Sequence, residues 1–126
     1  MRGSDLSERE VVRAAIEAYL ERHASCDLEG VVSLFHRDAV VEDPVGSPVH
    51  AGRVAIREFF RSTHERNGNL RVQRVGQAVV CGREAAVHVR AAARSAGFEP
   101  EVEVLYTFAV DAAGKITAMR AFFEFD

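Results

Sequence analysis

The hydrophobic positions in the first half of the chain recur at helical spacing. A capping box that begins at Ser7 predicts a first helix over residues 7–24. Asp27 can cap a second helix over residues 28–35, and a third helical pattern covers residues 54–60. The first half therefore predicts three helices, with one short β-prone run between the second and the third.

From residue 70 onward the apolar positions alternate with a period of two, which is typical of half-buried strands. Residues 111–114 (Asp-Ala-Ala-Gly) predict a hairpin turn between the last two strands. Helices followed by an antiparallel meander indicate an α+β domain. We expect a strongly curved sheet, wrapped by the three helices into a cone whose open mouth is a ligand pocket. The predicted strands cover residues 39–43, 70–72, 78–80, 86–93, 102–110 and 116–125.

The composition excludes several classes of protein. In 126 residues, 16 Lys and Arg face 19 Asp and Glu, a net charge of −3 that argues against nucleic-acid binding. No apolar stretch approaches the ~20 residues of a membrane span, and no signal region is seen, so a cytoplasmic location is expected. The five histidines are scattered along the sequence, and no metal site is expected. We expect one domain over residues 1–126, with residues 1–6 as a disordered tail.

Three side chains are placed for acid–base chemistry at such a pocket. Asp43 ends the first predicted strand before a proline, which restricts its backbone to extended geometry and directs its carboxylate. Tyr19 lies on the apolar face of the first helix, and strand alternation turns Tyr106 toward the same interior. A carboxylate base opposite two hydroxyl donors suits proton abstraction next to a carbonyl. The structural alternatives are a turn-starting Asp-Pro pair and two core tyrosines bonded to backbone.

Five segments carry a resemblance to a known family: residues 18–20, 27–35, 39–46, 52–60 and 114–123. They resemble the bacterial ketosteroid isomerases (steroid Δ-isomerases) of the nuclear-transport-factor-2-like superfamily, which also includes polyketide cyclases and dehydratases. The sequence Val-Glu-Asp-Pro-Val-Gly is the most specific piece. The resemblance implies a cone-shaped, cystatin-like α+β barrel with a curved mixed or antiparallel sheet, a homodimer, and no cofactor.

The resemblance also implies roles for individual residues. Asp43 falls at the position of the general base and Tyr19 at that of the first oxyanion donor. Tyr106 stands where the family has a protonated aspartic acid, and a phenol is a neutral donor at pH 7 that can replace it. Phe35 and Phe60 replace tyrosines that support the first donor, so Tyr19 is expected to lose hydroxyl partners. The expected substrate-contacting residues are His23, Phe35, Phe59, Phe60, Val89, Phe108, Met119 and Phe123.

Three functions are compatible with these residues. The first is isomerisation of a Δ5-3-ketosteroid to its conjugated Δ4 isomer by intramolecular proton transfer. The second is a dehydratase, cyclase or double-bond isomerase that acts on a polyketide-like or other polycyclic substrate, which the polar His23 and the absent acid favour. The third is a non-catalytic binding or dimerisation module of the same fold. In each case the expected ligand is a hydrophobic polycyclic small molecule.

Overall fold

The α+β architecture predicted from the sequence is confirmed. The computed structural model describes residues 7–93 and 101–124, so the expected tail over residues 1–6 lies outside the described residues. The helices are α1 (Glu8–Ala24), α2 (Leu28–Val32) and α3 (Arg53–Asn67). The strands are β1 (Phe35–Glu42), β2 (His50–Ala51), β3 (Leu70–Arg74), β4 (Val79–Cys81), β5 (Glu84–Ala93), β6 (Val102–Val110) and β7 (Ile116–Phe122). The helices accompany a sheet of order β2-β1-β7-β6-β5-β3, in which β4 also pairs with β5.

The predicted helix and hairpin signals form as expected. At the start of α1, the Ser7 hydroxyl accepts a hydrogen bond from the Glu10 N–H, and the Glu10 carboxylate accepts one from the Ser7 N–H. In the β6–β7 hairpin, the Gly114 N–H donates to the Asp111 carbonyl at 3.0 Å. The sheet is mixed, because β1 runs parallel to β7 while the other pairs are antiparallel.

The predicted boundary between the second helix and the first strand is wrong. α2 ends at Val32, and Phe35 opens β1 as a fully buried residue rather than closing a helix. The reason is long-range pairing: Phe35 pairs with Ile116 of β7, and the Ile116 N–H donates to the Leu34 carbonyl at 2.8 Å. A sheet partner 81 positions away leaves no trace in the local periodicity.

The third helix is longer than predicted, and this matters for the site. α3 continues to Asn67 and ends before Gly68, whose φ of +65° lies in the region that favours glycine. The extra two turns line a cavity together with residues near the ends of β1 and β5. In the described part of the chain, no helix is long and apolar enough to cross a membrane.

Candidate active site

A cavity of about 420 Å³ opens between the end of α3 and the inner face of the sheet. Asp43, Tyr106 and His23 are the polar groups on its wall that the sequence predicted. Phe59 and Phe123, two of the predicted substrate contacts, also line it. The structure therefore brings the predicted base and one predicted donor to a single pocket.

A larger depression of about 910 Å³ lies on the outer side of β6 and β7. It is bordered by carboxylates such as Glu101 and Glu103 and by the exposed side chains of Leu105 and Phe122. It contains none of the three residues predicted to carry out chemistry. The smaller cavity is therefore the candidate active site, because a largely desolvated carboxylate and a tyrosine hydroxyl converge there.

Asp43 lies in a turn that is held by hydrogen bonds to β1 and β7. The Val45 N–H donates to the Ala121 carbonyl at 2.8 Å, and the Gly46 N–H donates to the Glu42 carboxylate at 2.9 Å. Arg120 in turn donates to Glu42 at 2.8 Å. These contacts pin the backbone around Asp43 to β7, so its carboxylate faces the cavity in one direction. Burial raises the pKa of Asp43 from 3.8 to about 6, while the side chain keeps partial access to the cavity.

Tyr19 and Tyr106 lie side by side, with ring centroids 5.4 Å apart and an interplanar angle of 73°. Tyr106 reaches the cavity from β6, whereas Tyr19 is fully buried behind it on α1. Burial raises the pKa of Tyr19, and Tyr106 and Asp43 add to the effect. Burial also raises the pKa of Tyr106, as does the neighbouring charge of Asp43. Both phenols therefore stay protonated and neutral near pH 7.

The Tyr19 hydroxyl is buried without a hydrogen-bond partner among the described residues. The hydroxyl of Tyr106 is close enough to influence the Tyr19 pKa, yet the two make no hydrogen bond of good geometry. Phe35 and Phe60 pack edge-on or inclined to the Tyr19 ring, at 6.3 and 6.0 Å between centroids, and neither can offer a hydroxyl. A buried unpaired O–H is rare in proteins, and this one lies directly behind Tyr106, the tyrosine on the cavity wall.

Several predicted substrate contacts lie behind the cavity rather than on its wall. Phe108 packs on Tyr19 with 5.5 Å between ring centroids, and it is almost fully buried. Phe35 and Phe60 also contact the Tyr19 ring, so these three aromatic residues of the hydrophobic core hold it in place. The core residues among the predicted contacts are Phe35, Phe60, Val89, Phe108 and Met119.

The last two turns of α3 contribute cavity residues that were not predicted from the sequence. Thr63, Arg66 and Asn67 line the cavity, together with Leu70 at the start of β3. Their spacing from Phe59 is four, seven and eight positions for the helical residues, which places them on one face of a continuing helix. That spacing was present in the sequence, but the predicted helix stopped at residue 60. Arg66 is exposed, so the cavity has a cation at its rim.

A second missed feature is the pairing of two histidines that are 41 positions apart. His23 Nδ1 lies 3.1 Å from His64 Nε2, although the sequence showed only scattered histidines. Among residues 7–93 and 101–124, no group of three or more His, Cys, Asp or Glu side chains is arranged to hold a metal ion.

Comparisons with known proteins agree with this architecture. Residues 16–119 match the profile of the SnoaL-like domain. The chain is 33% identical over 115 residues to a steroid Delta-isomerase of Nocardioides simplex, which covers 88% of each protein. The fold is similar to that of SalBIII, described as an epoxide hydrolase/cyclase-like enzyme in pyran ring formation in the polyether salinomycin. That similarity has a TM-score of 0.81 at 25% identity and covers 94% of this chain and 95% of the other.

The profile match spans most of the chain and includes every element that builds the cavity except the first turns of α1 and the last residues of β7. The steroid Delta-isomerase and SalBIII both align along nearly the whole described fold. The chain is therefore a member of the SnoaL-like domain family.

Proposed function

We propose that the protein is an isomerase that moves a carbon–carbon double bond into conjugation with a ketone, as in the conversion of a Δ5-3-ketosteroid to its Δ4 isomer. One observation carries the proposal: the Asp43 carboxylate and the Tyr106 hydroxyl share one apolar cavity, with the unpaired Tyr19 hydroxyl beside them. The similarity to a steroid Delta-isomerase supports it.

In the proposed reaction, Asp43 accepts a proton from the carbon between the carbonyl and the alkene. The electrons of the broken C–H bond form a dienolate, and the negative charge develops on the carbonyl oxygen. Tyr106, on the cavity wall, donates a hydrogen bond to that oxygen, and Tyr19, whose hydroxyl lies behind Tyr106, is the second proposed donor. Asp43 then returns the same proton to the far end of the dienolate, which yields the conjugated ketone and regenerates the carboxylate. The step is internally balanced and consumes no co-reactant.

The electrostatics of the cavity support this division of labour. A base works best when its pKa lies near the operating pH, and burial brings the pKa of Asp43 to about 6. The same burial keeps the tyrosines neutral, so they remain donors when the base is charged. In a cavity largely lined by apolar side chains, hydrogen bonds to a developing oxyanion are stronger than in water.

The direct test is turnover of an unconjugated Δ5-3-ketosteroid, followed by the absorbance of the conjugated enone. Wild type is expected to raise that absorbance above a buffer control, and Asp43→Asn, which keeps the side-chain shape, is expected to abolish the rise. Asp38→Asn is the matched control, because its carboxylate is 78% exposed and does not line the cavity. Wild type that leaves the steroid unchanged removes the steroid-isomerase proposal.

A second candidate function is a cyclase or dehydratase reaction on a polyketide-like substrate. The observations that favour it are the fold similarity to SalBIII and the polar His23 on the cavity wall. Loss of water or ring closure of a hydroxylated polycyclic ketone, seen by mass spectrometry and chromatography in the absence of enone formation, would support this candidate. Tight uptake of a planar phenol with no turnover of either substrate class would instead support a binding module.

We further propose that the chain forms a homodimer through the outer face of β6 and β7. Leu105 and Phe122, which pair across β6 and β7, are 49% and 37% exposed there, and exposed apolar side chains that cluster on one face mark interaction surfaces. Sedimentation equilibrium is expected to give twice the chain mass for wild type and the single-chain mass for Leu105→Glu. A monomeric wild type at high concentration contradicts the dimer.

A further inference from the structure

The His23–His64 pair has no part in the proton transfer proposed above, yet it lies beside the catalytic groups. His23, in the last turn of α1, is 5% exposed and stacks on the ring of Tyr19, with 5.4 Å between centroids and 19° between planes. Phe60 packs edge-on against it from α3. The ring therefore has a fixed orientation, with Nδ1 toward His64 and one edge on the cavity wall.

Both imidazoles are neutral near pH 7. Burial, together with His64, lowers the pKa of His23 to about 3. Burial also lowers the pKa of His64, against an opposing effect of Asp27. The Asp27 carboxylate caps α2 by accepting from the Gly30 N–H, and among the described residues it makes no hydrogen bond to His64. With two neutral rings in contact, one nitrogen of the pair must donate and the other must accept.

The surroundings of His64 decide which ring donates. Its other nitrogen, Nδ1, is buried and has no partner among the described residues. If His23 were the donor, His64 would carry its own proton on Nδ1 and bury an unpaired N–H. If His64 Nε2 is the donor, Nδ1 is only an unpaired acceptor. The second arrangement puts the free N–H on His23 Nε2, which is not among the fully buried unpaired atoms and belongs to a ring on the cavity wall. Because buried unpaired N–H groups are rare in proteins, this arrangement is favoured over one that buries an N–H at His64 Nδ1.

In that arrangement His23 carries its proton on Nε2, the nitrogen not engaged by His64. Within the part of the chain that the structure describes, no hydrogen bond is made by this nitrogen, and the ring lines the cavity. We propose that His23 Nε2–H is a specificity-determining donor for a second oxygen of the substrate, and that His64 is a positioning residue that holds it in this tautomer. The substrate class is a polycyclic ketone that bears a further hydroxyl or carbonyl oxygen.

This inference rests on the proposed function, because it concerns the same cavity, and it adds a reason for selectivity. A ligand with only hydrocarbon next to His23 displaces water from the Nε2–H and provides no hydrogen-bond acceptor. A ligand with an oxygen there restores the hydrogen bond. Sites built around a polar group of this kind reject the analogue that lacks the matching group.

The tautomer is tested first, by ¹⁵N NMR of the uniformly labelled protein at pH 7. Wild type is expected to show the proton of His23 on Nε2. His64→Gln is expected to keep the proton on His23 Nε2, because a glutamine amide can donate to His23 Nδ1. His64→Phe removes that donor, so His23 is expected to become a mixture of its two neutral tautomers. A wild-type His23 protonated on Nδ1 overturns the proposal.

Binding is tested with 2-naphthol and with the isomers of dihydroxynaphthalene, which differ by one oxygen. For wild type, at least one diol is expected to bind about three- to tenfold more tightly than 2-naphthol, the range for one added hydrogen bond. The advantage is expected to disappear in His23→Phe, to shrink in His64→Phe and to persist in His64→Gln. The control His36→Phe changes a histidine outside the cavity and is expected to keep the wild-type ratio.

An unchanged diol preference in His23→Phe overturns the proposal. The outcome is independent of turnover, since neither the tautomer nor the ratio of binding constants requires catalysis. Failure of the isomerase assay together with a His23-dependent diol preference would therefore refute the proposed reaction alone, and the reverse pair of results would refute only the role of His23.

Discussion

The two sides of the cavity respond to burial in the same direction but with opposite consequences. On the β1 side, burial raises the pKa of Asp43 to about 6, which moves it into the range where the carboxylate can gain and lose a proton. On the α1–β6 side, burial raises the pKa of Tyr19 and Tyr106 further from neutrality, so they keep their protons. One physical effect, desolvation of the charged form, therefore yields a base on one side and permanent donors on the other.

The largest effect is expected from removing the titratable side. Asp43→Asn keeps the shape of the side chain but cannot accept the proton, so kcat is expected to fall by about 10³- to 10⁴-fold. Steady-state turnover of the Δ5-3-ketosteroid measures the loss. A decrease of less than about tenfold would mean that another group accepts the proton, and the contrast between the two sides would not describe catalysis.

On the donor side, the expected losses are smaller. Tyr106→Phe and Tyr19→Phe each remove one hydrogen bond to the oxyanion, so kcat/KM is expected to drop by about 10²-fold in each case. Unchanged rates would assign the two tyrosines to packing.

Tyr19→Phe also separates the catalytic explanation from a structural one. Because the Tyr19 hydroxyl has no partner in the described structure, its removal is expected to leave the free energy of unfolding unchanged or to raise it by about 1 kcal/mol. Equilibrium denaturation measures this difference. If Tyr19 instead served as a hydrogen-bond donor within the core, the same substitution would lower the free energy of unfolding.

The pH dependence sharpens the comparison further. The ionised fraction of Asp43 falls about tenfold for each pH unit below its pKa, so kcat/KM is expected to decline on the acid side of about 6. No second decline from the tyrosines is expected up to about pH 9, because both pKa values are raised above 10.0. A rate profile that is flat between pH 4 and pH 8 would contradict the assignment of Asp43 as the base.

The ionisation of Asp43 is also expected to affect stability, by far less than it affects the rate. The folded state holds the proton of Asp43 more tightly than the unfolded chain does, so stability falls as the pH rises from about 4 to about 6 and stays lower above that. Asp43→Asn lacks this penalty, so its free energy of unfolding at pH 7.5 is expected to exceed that of wild type by roughly 1–2 kcal/mol. This figure is smaller than the full pKa shift implies, because the Asp43 side chain is partly exposed to solvent. Near pH 4 the difference is expected to vanish, and denaturant titrations at both pH values test it.

How far the sequence predicted the site depends on whether the signal was local. The Asp43-Pro44 turn and the alternation around Tyr106 are local patterns, and the structure places both residues on the cavity wall. The distinction between wall and core was not local. Phe59 lines the cavity and its neighbour Phe60 is fully buried, although both are apolar residues on the same predicted helix.

The His23–His64 contact shows the same limit. Each histidine sits near the end of its own helix, where it is an unremarkable residue in the sequence. Their ring nitrogens meet only because the fold brings the C-terminal ends of α1 and α3 near each other. Neither the contact nor the resulting tautomer could be inferred from spacing along the chain.

The sequence by itself determined the types and approximate positions of the helices and strands, because caps, turns and periodicity act over a few residues. It also determined the kinds of groups available for chemistry: one directed carboxylate and two inward phenols. Only the tertiary structure decided where α2 gave way to β1 and which aromatic rings became cavity wall. It also decided how far each polar group was desolvated, because pKa shifts depend on the surroundings that distant segments supply.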